Sequence, residues 1–171
     1  MAAYNRVGDL EIGQDLDFQQ KEWTVQRIGW VVMALIAIAT LLGLLGGPGP
    51  LSDITVGSNE DMLSLELNRF GHLQEPTTLR IRLNGDATAS NPVRVWLDLS
   101  YLHDVQVEHV MPEPESVEAA EDRLVYSFQM TEPGQPATIT FQVRPERPGA
   151  LNGQVGIEGG ASHDFSQFIY P

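Results

Sequence analysis

Eighteen consecutive residues without a charge, Ile28 to Leu45 (IGWVVMALIAIATLLGLL), constrain this chain more than any other feature in it. Only Thr40 interrupts the run with a polar side chain. As a helix rising about 1.5 Å per residue it covers roughly 27 Å, and Gly46 and Gly47 extend it to about 30 Å, the thickness of a hydrocarbon core. A helix that is apolar on every side must be buried in protein or solvated by lipid. The run therefore predicts one transmembrane helix over about residues 28–46. Asp17 and Gln20 have capping-box spacing, so the helix should begin near residue 18, giving a helical segment over 18–46. Gly46-Gly47-Pro48-Gly49-Pro50 should end it, and residues 47–52 read as a Gly/Pro linker.

Trp23, Arg27 and Trp30 flank the start of the run, where indole rings and basic side chains favour the membrane–water boundary. Arg6, Lys21 and Arg27 precede the span, and no Lys or Arg occurs between residues 28 and 68. The positive-inside rule then places the N-terminus in the cytoplasm and the larger part outside, periplasmic or extracellular, for a single-pass protein of the cell (inner) membrane. A cleavable signal peptide is the competing reading, because Ala37-Ile38-Ala39 resembles a cleavage site. The acidic leader is unlike a basic n-region, however, and the apolar run continues past Ala39. Ala39, Gly43 and Gly47 recur every four residues, which on a continuous helix would align small side chains as a packing face for a neighbouring helix. No ionisable residue lies in the run, which argues against an ion or proton path through it.

Residues 1–17 form a cytoplasmic arm with isolated apolar residues (Tyr4, Val7, Leu10, Ile12, Leu16) and no helical period. Beyond the linker, residues 53–171 are enough for one compact domain. After Gly47 the chain carries 18 acidic against 7 basic residues, a net of about −11. Such a surface repels nucleic acid. The absence of cysteine excludes disulfides, thiolate catalysis, Cys-ligated zinc and iron–sulfur clusters.

Short stretches of alternating apolar and polar residues fill this region: Met62–Leu67, Thr78–Leu83, Val93–Leu99, Val105–Val110, Leu124–Met130, Ile139–Val143, Gln154–Ile157 and Phe165–Tyr170. Turn residues such as Asn91-Pro92 and Glu132-Pro-Gly134 separate them, and no stretch has a helical period of useful length. The expectation is a single transmembrane α-helix plus an all-β external domain, an antiparallel immunoglobulin-like β-sandwich of seven or eight strands.

Chemistry is sparse. His103-Asp104, Glu108-His109 and His163-Asp164 are adjacent pairs, which on a strand point to opposite faces and make poor ligand sets. No zincin spacing, G-x-S-x-G elbow or phosphate loop followed by a helix occurs. The acidic stretch Glu113 to Asp122 lacks the order of a calcium loop. No catalytic residue, cofactor or metal site is expected. Trp96 falls on the strand face opposite Val95 and Leu97, so if that face is open, its indole is a partner-contact anchor. These features point to a non-catalytic accessory subunit of an integral-membrane complex of respiratory, photosynthetic or transporter type. Its partners would be the lipid bilayer and larger integral-membrane subunits. The alternative is a free-standing, membrane-anchored binding or sensor module for an external ligand or protein.

Overall fold

A computed structural model describes residues 16–47, 49–58 and 60–171, with side-chain surroundings from Glu22 onward. Most of the arm expected at 1–17 lies outside the described residues. The chain divides into two units, residues 1–38 and 39–171.

The first unit holds most of helix α1, Leu16–Leu41. Its residues Glu22–Leu41 form the one described helix long and apolar enough to cross a membrane, and none of that stretch is buried. Length and composition of this kind suit a membrane anchor or a signal sequence.

Helix α1 stops at Leu41, about five residues before the expected end, and Gly43 is the cause. Its φ of +80° is the left-handed conformation that a glycine adopts without a steric penalty. The Gly43 N–H donates to the Thr40 carbonyl at 3.0 Å and the Leu44 N–H to the Ala39 carbonyl at 3.0 Å, the pair of bonds of a Schellman cap. Leu42 to Leu45 are therefore turns rather than a last helical turn.

The Gly/Pro segment is likewise not a free linker. The Leu51 N–H donates to the Leu42 carbonyl, Ser52 is fully buried, and the Ser52 carbonyl accepts from the Arg69 N–H at 2.6 Å. A Cβ at Gly43 would sit 2.8 Å from the Ser52 Cβ and 3.0 Å from the Gly49 Cα, so the two glycines allow the turns to stack.

The second unit contains eleven strands: β1 Asp53–Val56, β2 Leu63–Asn68, β3 Phe70–His72, β4 Thr77–Leu83, β5 Val93–Asp98, β6 Val105–Met111, β7 Ser116–Ala119, β8 Arg123–Phe128, β9 Ala137–Pro145, β10 Gly149–Ile157 and β11 Ser162–Tyr170. A one-and-a-half-turn helix, α2 (Leu99–Asp104), joins β5 to β6. The strands form two sheets, in the orders β1-β2-β4-β9-β6 and β3-β11-β10-β5-β8-β7. All eight expected strands are present. Three more, β1, β3 and β7, take the number beyond seven or eight, and the pairing of β3 with β11 is parallel, so the domain is not wholly antiparallel.

The sheet edges are short or bent. β1 and β7 have four residues each and β3 has three, while β6 carries an irregularity in register between Val107 and His109.

Alternation decides the core. In β4 the pattern buries Leu79, Ile81 and Leu83 and exposes Arg80 and Arg82, and β9 mirrors it with Ile139, Phe141 and Val143. Those side chains meet Val93, Val95, Leu97, Tyr126 and Phe128 of the other sheet in one apolar cluster. Each fully buried aliphatic or aromatic side chain contributes roughly 1.5–3 kcal/mol relative to exposure. Tyr126 of β8 meets Phe141 of β9 edge to face, ring centres 5.0 Å apart, which ties sheet to sheet. A polar bridge does the same. The Tyr101 hydroxyl of α2 donates to Gln167 Oε1 at 2.8 Å, and Gln167 Nε2 of β11 donates to the Asn68 carbonyl of β2 at 2.8 Å.

Candidate functional site

Three surfaces of the six-stranded sheet and its margins carry the polar and aromatic side chains that could do chemistry or bind.

The first surrounds Trp96 on the outer face of β5. An open face would make the residue a contact anchor and a covered one a packing residue; it is 6 % exposed. Its cross-strand neighbour on β10 is Gly156, which leaves room for the indole to lie over the β10 backbone; a Cβ there would come within 2.6 Å of Trp96 Cζ2. From the β8 side the Arg123 guanidinium covers the ring at 4.3 Å from its centre. Beside it Arg94 bridges Glu118 (2.7 Å) and Glu158 (2.8 Å). These exposed pairs order the face and contribute little to stability. The arrangement seals the indole, so Trp96 is a packing residue.

The second is an open groove of roughly 790 Å³ between β5, α2, β10 and β11, with Asp98, Asp122 and Asp164 on its walls. Asp98 Oδ1 accepts from the Gln154 N–H at 2.8 Å, and its other oxygen accepts from the Ser100 hydroxyl. Asp164 accepts from Gln154 Nε2 at 3.0 Å. Asp122 accepts two bonds from Arg123, at 2.7 and 2.9 Å, and this hydrogen bonding holds its carboxyl below the usual range. Each carboxylate is already engaged as an acceptor. These bonds tie the rim of the groove together. No group of three or more His, Cys, Asp or Glu side chains capable of holding a metal occurs among the described residues.

The third lies where β3 and β11 end. Phe70, His72, Phe168 and Tyr170 share the outer face, with the Phe168 and Tyr170 rings 5.2 Å apart and those of Phe70 and Tyr170 6.2 Å apart. The Tyr170 hydroxyl donates to the Leu44 carbonyl at 2.7 Å. The His72 ring lies tilted beside that of Tyr170, centres 5.8 Å apart, and His72 Nδ1 lies 3.2 Å from Glu75 Oε2. The sequence singles out Phe165 to Pro171 as too apolar for a free tail and leaves Phe168 or Ile169 as the residue packed in the core; Ile169 is fully buried, and Phe168, with Tyr170 two positions on, lies on the opposite face.

The remaining residues picked out from sequence fall as follows. Trp23 and Arg27 stand one turn apart on α1, the guanidinium 4.0 Å from the ring centre, and Trp30 is exposed on the same helix. Ala39 lies in the last turn of α1, but Gly43 and Gly47 lie beyond its end. The three do not share a helical face, and the expected packing stripe is replaced by the Gly43 cap. Of the histidines, His163 Nε2 lies 3.0 Å from the Leu63 carbonyl and His103 Nδ1 3.6 Å from Asp104.

No family model matches the chain, and no curated protein matches it.

Proposed function

We propose that the chain is a non-catalytic accessory subunit of an integral-membrane complex. Helix α1 serves as its uncleaved anchor in the cell (inner) membrane, with the N-terminus cytoplasmic and the β domain, an immunoglobulin-like sandwich, on the periplasmic or extracellular side. One observation carries this reading: the residues that follow α1 are bonded into the β domain. Within a dozen residues the chain makes the Gly43 cap, the Leu51–Leu42 bond and the Tyr170–Leu44 bond, so the segment that a tether would use is folded into the domain. A module that must reach for a ligand benefits from a flexible linker, whereas a brace benefits from none.

Purification of the full-length chain from its native membrane in mild detergent, followed by mass spectrometry, tests this. Stoichiometric co-purification of larger membrane subunits is expected, and a lone monomer in every detergent would refute it. Because the chain has no cysteine, labelling Ser162→Cys in intact cells with a membrane-impermeant maleimide reads the orientation directly. Labelling only after lysis would overturn the external placement.

A further inference from the structure

We propose that Leu45, Leu51, Arg69, Phe70, Phe168 and Tyr170 form a foot by which the β domain itself rests in the headgroup layer of the bilayer; this rests on reading α1 as a membrane anchor.

The foot is defined by three independent observations. Large apolar side chains are exposed together around the exit of the chain from its helix: Leu45 at 47 %, Leu51 at 46 % and Phe168 at 43 %. Single exposed apolar residues are ordinary on a protein surface, but a group of them rimmed by polar residues marks an interaction site. Secondly, the aromatic cluster is tied to that exit. Leu44, which accepts the Tyr170 hydroxyl, follows the last helical residue by three positions, so it lies within roughly 10 Å of Leu41 even if the chain were fully extended. If the helix leaves the hydrocarbon at its C-terminal end, the rings are within reach of the interface, the layer that aromatic side chains with one wet edge prefer.

The third observation is electrostatic. Six of the seven arginines after Gly47 have a carboxylate within 4 Å: Arg80 and Arg82 share Glu66, Arg94 has Glu118 and Glu158, Arg123 has Asp122, Arg144 has Glu108 and Arg147 has Asp104. Of these seven, Arg69 alone has no such partner among the described residues, although the domain is strongly acidic, and it is exposed. Its carbonyl accepts from the Phe168 N–H at 2.7 Å, which fixes its backbone beside the foot. An unpaired guanidinium on the residue before Phe70 suits lipid phosphate, which it can engage with two parallel N–H donors. The acidic remainder of the surface is repelled from anionic headgroups, so contact is confined to this end.

The absence of native cysteine allows a clean test with nitroxide labels on the full-length chain, one copy per phosphatidylcholine nanodisc. Ala150→Cys places a label across the strand from Phe168 and leaves the foot intact. Ser162→Cys lies on the same face of β11, six residues or about 20 Å from Phe168. Leu35→Cys reports on the helix. Collision with oxygen relative to a water-soluble nickel chelate should be several-fold higher at position 150 than at 162, and Arg69→Ala with Phe168→Ser should bring position 150 down to the value at 162. Equal ratios at 150 and 162, with position 35 in lipid, would overturn the foot and leave the anchor standing. Position 35 in water would overturn the anchor reading itself. Protection of position 150 in native membrane but not in the disc would assign the surface to a protein partner and overturn the proposal.

Discussion

Replacing Tyr101 by Phe removes one oxygen from the interior and leaves almost everything else in place. The ring is retained, and with it the edge-to-face contact with Phe165 at 4.9 Å. The variant therefore isolates the hydroxyl that bonds Gln167 Oε1. That oxygen is then buried without a donor, because Gln167 is 2 % exposed and position 101 is fully buried. Turning the amide over does not help, since its nitrogen would have no acceptor at position 101 and the Asn68 carbonyl would lose its donor. The space left by a hydroxyl is also smaller than a water molecule needs. The full penalty of an unsatisfied buried acceptor applies, about 2 kcal/mol. For a domain of about 120 residues this is a fall in Tm of roughly 6–10 °C.

Alkaline pH gives a second readout. Burial, and to a lesser degree the negative charge of Asp98, push the Tyr101 phenol well above its ordinary value of about 10. The folded state then keeps a proton that the unfolded chain releases, so the contribution of Tyr101 is complete below about pH 10 and is lost as pH rises beyond it. Per pH unit above 10 the wild type should lose up to about 1.4 kcal/mol more than the variant. Tyr126, whose phenol is also raised by burial, titrates in both. Thermal unfolding of the full-length chain in micelles, followed by far-ultraviolet circular dichroism at pH 8 and pH 11, measures both effects. A Tm within about 2 °C of wild type at pH 8, or a difference that does not narrow at pH 11, would refute the bridge between the sheets.

Two further outcomes concern the sealed indole. Gly156→Ala should destabilise by about 1–3 kcal/mol, because its Cβ drives the Trp96 ring off the β10 backbone; adding Trp96→Phe should recover part of this in urea unfolding, and strict additivity would count against the contact. Arg123→Ala uncovers the ring: in a background with Trp23→Phe and Trp30→Phe, Trp96 emission should shift to the red with a smaller loss of Tm than Gly156→Ala gives.

The strands legible in the sequence were those with one face in the core. In β4 and β9 every second residue is apolar, and burial of Leu79, Ile81, Ile139 and Phe141 follows that pattern. The strands that escaped notice are edges. β7 is exposed at all four positions and β3 is half-buried at all three, so neither alternates. α2 escaped for another reason: at six residues it is too short to show a period. The face of Trp96 was legible and its environment was not, because Arg123 and Gly156, which decide it, lie on strands distant in sequence. The end of α1 was misjudged although its cause, Gly43, stood in plain view. A glycine inside an apolar run reads equally well as a helix-packing residue and as a cap, and only the bonds from Gly43 and Leu44 back to Thr40 and Ala39 decide.

Under the proposed anchoring, which would hold the domain on a bilayer, the blunt sheet edges acquire a meaning. Proteins confined to one plane meet far more often, and in fewer relative orientations, than the same number of molecules in free solution. A long bare strand edge would be dangerous there, since two copies sliding past each other could join their sheets and seed an ordered aggregate. The four-residue β1 and β7, the three-residue β3 and the bent β6 give such pairing little to grip. Copies anchored in that way would collide repeatedly and part, and side-chain faces, not backbone edges, would choose any neighbour that stays.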